Sequence, residues 1–150
     1  MAFPAGILQS PYFDPTFPPA MNYGAIGGVG GHELTHSLDS QGRDYNGDGK
    51  LVDWWEPQTS EEFKRRVACI INQYAKFSPL PGYFINGNLT QGENTADAGG
   101  LKTARNAYVM TYPDEAFRAS IVPFLTNEQL LFVSYAQTEC SKLTPAAMRN

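Results

Sequence analysis

His32-Glu33-Leu34-Thr35-His36 holds both histidines of this 150-residue chain. For the two imidazoles to act together the segment must be helical, because a spacing of four residues sets them one turn apart on one face. From that face two neutral imidazoles can fill two corners of a zinc tetrahedron, and Glu33 falls beside the open corner, where a water would sit. The plainer alternative is a helix that happens to carry two unrelated histidines. Between Asn22 and Ser40 the predicted helix is interrupted by Gly24, Gly27, Gly28, Gly30 and Gly31, each costing up to about 1 kcal/mol relative to alanine in a helix interior. Such a helix needs tertiary packing. Its glycines are then points of close approach to neighbouring elements, or simply weak places in the helix.

Composition narrows the classes. With 42% hydrophobic and 13% aromatic residues the chain is long enough for one domain with a true core. A net charge of -4 and a pI near 5.1 offer no basic stripe for nucleic acid. No apolar run approaches the roughly 20 residues needed to span a bilayer, and the start Met1-Ala2-Phe3-Pro4 shows no secretory signal. Cys69 and Cys140, the only cysteines, are too few for a disulfide framework and are spaced unlike a zinc ribbon.

Residues 1 to 21 contain five of the eleven prolines (Pro4, Pro11, Pro15, Pro18 and Pro19), which predicts an extended lead-in without helix. Asp44-Tyr45-Asn46-Gly47-Asp48-Gly49 resembles the opening of a calcium loop, but Val52 and Trp55 stand where the later ligands belong, so a tight Asx and glycine turn is expected. The pair Trp54-Trp55 reads as core anchoring. Thr59 and Glu62 have capping-box spacing, predicting a helix from there, with Phe63, Val67, Ile70, Ile71, Tyr74 and Phe77 as its core stripe. Asn88-Leu89-Thr90 is a glycosylation sequon.

A third ligand candidate follows. Thr90-Gln91-Gly92-Glu93 opens a second capping box, and its helix is expected to run to about Tyr112, before Pro113. Glu93 and Asp97 lie four apart on one face, among Ala96, Gly99, Gly100 and Ala104, which permit close packing of another helix. Glu93 with His32 and His36 would complete a His2Glu zinc site with one position left for water. Asp97 would accept a hydrogen bond from the non-ligating N–H of His32 and fix its tautomer; alone, it would be an ordinary solvated helix charge.

Together these stretches resemble a known family. Phe3-Pro4-Ala5-Gly6-Ile7-Leu8-Gln9, Asn22-Tyr23-Gly24, the segment from His32 to His36, Asp48-Gly49 with Leu51 and Trp54-Trp55, Gly92-Glu93-Asn94-Thr95-Ala96-Asp97, Gln129-Leu130, Phe132 and Tyr135-Ala136-Gln137 look like the catalytic core of the neprilysin and endothelin-converting-enzyme zinc endopeptidases. The resemblance implies a mainly α, partial thermolysin-like (gluzincin) catalytic domain over residues 1–150, behind a Pro-rich extended lead-in. It further implies one Zn2+ per chain held by His32, His36 and Glu93, with Glu33 as general base, Asp97 as supporting acid, and peptides as substrates. An extracellular or cell-surface location, with membrane anchoring outside this stretch, is implied in the same way.

Departures from the family pattern are equally definite. The Asn-Ala-aromatic substrate strand upstream, the histidine and arginine downstream and the large helical lid domain are absent from this sequence, and Gly30 replaces a bulky aliphatic. The resemblance places the disulfide partners of Cys69 and Cys140 in those other regions, so both are expected as free thiols here. Two functions remain: peptide-bond hydrolysis by a metal-activated water, or a non-catalytic zinc-binding or peptide-binding remnant.

Overall fold

The computed structural model describes residues 1–149, and among them the regular structure is helical, with three isolated β-bridges and no strand. Two compact units are distinguished by their internal contacts: Met1–Thr35 with Asp97–Cys140, and His36–Ala96 with the stretch from Ser141.

The first unit contains α1 (Pro19–Gly24), α2 (Ile26–Thr35), most of α4 (Gln91–Thr111) and α5 (Asn127–Thr138). The proline-rich lead-in is therefore not wholly extended. A 3-10 turn forms at Ala5–Ile7, and α1 begins at Pro19, whose fixed φ and missing N–H suit the first helical position. The single helix expected from Asn22 is likewise broken at Ala25 (φ -76, ψ -89), which separates α1 from α2. Buried Ala20, Tyr108, Ala116, Leu130 and Leu131 form the core, with Met21, Tyr23 and Tyr112 packed against it. Helix α5 starts at a complete capping box, in which Thr126 Oγ1 accepts from the Gln129 N–H (3.2 Å) and Gln129 Oε1 accepts from the Thr126 N–H (2.9 Å). Its Ser134 hydroxyl donates to the Met21 carbonyl of α1 at 2.9 Å.

Close approach explains some of the glycines but not all. A Cβ at Gly24, Gly28 or Gly31 would meet other atoms at 2.1, 2.6 or 2.5 Å, whereas Gly27 and Gly30 have only ordinary contacts at 3.5 and 3.7 Å. One close helix crossing is between α2 and α4. There a Cβ on Gly31 would lie 2.5 Å from the Gly100 carbonyl oxygen, and one on Gly100 would lie 2.3 Å from the His32 backbone nitrogen. Backbone cannot yield as a side chain can, so Gly100→Ala is expected to destabilise the fold by about 1–3 kcal/mol, the usual cost of overpacking. Urea unfolding measures this; a variant as stable as the parent would mean that the helices can separate at no cost.

The second unit begins with 3-10 turns at His36–Leu38 and Gly42–Asp44. At 44–49 the tight turn is present: Asn46 Oδ1 accepts from the N–H groups of Asp48 and Lys50, both at 3.0 Å, and Gly49 takes φ +74. Helix α3 (Pro57–Tyr74) starts earlier than its apparent capping box. Pro57 occupies the first turn, so Thr59 is already helical, and Glu62 instead binds Arg65 and Arg66, which hold its carboxyl down to about 2. Val67 is buried and Phe63, Ile70, Ile71 and Tyr74 are partly so, while Phe77 lies beyond the helix and is half exposed. Of the tryptophan pair only Trp55 is anchored, edge-on to Phe63 at 5.4 Å. Trp54 is 50% exposed, its indole N–H donating to the Arg43 carbonyl. Cys69 on α3 and Cys140 just past α5 are both free and exposed, as expected.

Candidate metal centre

His32 lies in the last turn of α2, where its Nδ1 is 2.7 Å from Asp97 Oδ1 on α4. That same oxygen accepts a hydrogen bond from the Tyr135 hydroxyl of α5 at 2.9 Å. His36 follows α2 directly but belongs to a 3-10 turn, not to the α-helix the spacing predicts. The tightening has a local cause, because the chain folds back on His36. Asp39 Oδ2 sits 2.6 Å from His36 Nδ1, while Asp39 Oδ1 accepts from the backbone N–H groups of Gln41 (2.8 Å) and Gly42 (2.7 Å). Burial pushes the Asp39 carboxyl up, but the Gly42 and Gln41 donors and the His36 ring outweigh it and leave it below the usual carboxylate range.

A carboxylate at each Nδ1 favours the tautomer protonated there, which leaves Nε2 as the nitrogen able to ligate a metal. His36 Nε2 lies 3.5 Å from Glu93 Oε2 on the first turn of α4. His36, Asp39, Gly92 and Glu93 line a cavity of about 310 Å³. One ligand atom from each of His32, His36 and Glu93 lies within 4.8 Å of the others. Two imidazoles and one carboxylate fit zinc and leave one coordination position open. Glu33, next to His32 on α2, is exposed.

Two residues of this centre escape sequence reading. Asp39 follows His36 by three residues, a spacing that signals a side-chain pair on helical turns. Tyr135 is 38 residues from Asp97 in sequence, and no local pattern announces it.

Comparison with known proteins gives consistent matches. Residues 1–150 match Peptidase family M13. The chain is similar to neprilysin-1 of Caenorhabditis elegans, with 51% identity over 150 residues, covering 97% of this chain and 20% of that protein. It is also similar to human endothelin-converting enzyme 1, with 47% identity over 146 residues, covering 97% of this chain and 19% of that protein. Among solved structures, a zinc metalloprotease of Mycobacterium tuberculosis in complex with an inhibitor superposes with a TM-score of 0.89 at 42% identity, covering 96% of this chain and 22% of that one. The chain thus spans about a fifth of the length of these relatives.

Proposed function

The chain belongs to peptidase family M13, and from that premise we propose that it is the zinc-holding part of an endopeptidase catalytic domain that cleaves peptides. The observation that carries this reading is the approach of His32, His36 and Glu93 to one point, with a carboxylate behind each imidazole. His32 and His36 through Nε2, and Glu93 through its carboxylate, would hold one zinc ion per chain. Bound zinc would supply Lewis acidity, bringing the pKa of water down to about 7 and polarising a carbonyl.

The protein's own groups do the rest. Glu33, one residue along the helix from His32 and not among the ligands, takes the proton of the attacking water and hands it to the leaving amine. Asp97 and Asp39 keep the histidine protons on Nδ1 and fix the ring directions. No helix of the described residues is long and apolar enough to cross a membrane; an extracellular or cell-surface setting, with any anchor elsewhere in the protein, is part of the proposal.

Metal removal tests it. Dialysis of the full-length protein against 1,10-phenanthroline is expected to abolish cleavage of a quenched peptide, and addition of one equivalent of zinc per chain to restore it. Activity that survives complete metal stripping would overturn the assignment.

A further inference from the structure

Each carboxylate behind an imidazole has an anchor of its own, and the two anchors differ in kind. Asp39 is 5% exposed and is pinned by two backbone N–H groups. The Asp97 side chain is 42% exposed, and the Tyr135 hydroxyl donates to the same oxygen, Oδ1, that faces His32. A carboxylate that open to solvent can turn about its Cβ–Cγ bond and exchange an imidazole for water. A second bond, from a ring carried on another helix, opposes that rotation.

We propose that Tyr135 is a positioning residue that holds the Asp97 carboxylate against His32 and thereby sets the direction in which His32 presents Nε2. The inference rests on the assignment of His32 as a metal ligand. The tyrosine ring is itself held in place, since it packs where a Cβ on Gly28 would be, 2.6 Å from Tyr135 Cδ2. Elements α2, α4 and α5 are thus tied at one point through Gly28, Asp97 and Tyr135. For Asp39 the backbone does the work that Tyr135 does for Asp97.

Tyr135→Phe removes the donor and keeps the ring packed on Gly28. In the metal-free full-length protein labelled with ring-15N-histidine, the His32 and His36 signals are assigned by their loss in His32→Asn and His36→Asn, which gives a readout independent of activity. In Tyr135→Phe the His32 ring nitrogens are expected to shift and the His32 Nδ1–H to exchange faster with water, while the His36 signals stay in place. Zinc affinity, measured by chelator competition, is expected to fall about 3- to 10-fold, less than the roughly 10- to 100-fold typical when a direct partner of a ligand is lost. Gly28→Ala, which displaces the ring by sterics, is expected to give the same His32-selective shift. Unchanged His32 signals, equal shifts of both histidines, or unchanged zinc affinity in Tyr135→Phe would each overturn the proposal. His32→Asn serves as the control: if it retains full zinc affinity, the metal-ligand assignment falls, and that failure is separate from any result at Tyr135.

Discussion

Glu33→Gln is expected to lower peptide hydrolysis by about 10²–10⁴-fold, the usual contribution of a general base, and to leave zinc affinity unchanged. Glutamine has the shape of glutamate, but its amide cannot take a proton from water. Glu33 is exposed on α2, so the substitution disturbs no core packing, and thermal stability should match the parent. The check is turnover of a quenched peptide by the full-length protein, with zinc titrated in parallel. Full activity in Glu33→Gln would remove Glu33 as the base. Lost zinc binding would instead place its carboxylate among the ligands.

Glu93→Ala should have the opposite signature, with loss of the metal and, in consequence, of activity. Glu93 is one of three proposed protein ligands, and its Oε2 stands 3.5 Å from His36 Nε2. Removing a direct ligand should cost zinc affinity more than the roughly 10- to 100-fold that follows loss of a supporting partner. Alanine is the best helix former and the Glu93 side chain is 69% exposed, so α4 should persist. The effect is read by chelator competition and by the rise in melting temperature on adding zinc, since a ligand bound only to the folded state stabilises it. The parent should show that rise and Glu93→Ala should not. Unchanged zinc affinity would eliminate Glu93 as the third ligand.

Much of this centre was legible as spacing. The intervals from His32 to His36 and from Glu93 to Asp97 pair residues across one turn, and the geometry sets Asp97 Oδ1 at His32 and Glu93 at His36. The Asn46 turn and the apolar stripe of α3 were equally readable, because each is decided within a few residues. Helix limits were less so. Pro19 and Pro57 open helices as N-terminal residues, where a proline inside a helix would have broken them, and the apparent capping box at Thr59 gave way to the earlier start.

The sequence alone therefore determined the candidate ligand types, their one-turn spacing and the need for packing around a glycine-laden helix, since these are properties of short stretches of backbone. Tertiary structure decided the rest. It broke the first helix at Ala25 and made Gly31 and Gly100 a point where α2 and α4 cross. It also brought Tyr135 to Asp97 across 38 residues and Asp97 to His32 across 65. Such partners carry no periodic signal, because a hydrogen bond between distant residues is fixed only when packed helices bring them together.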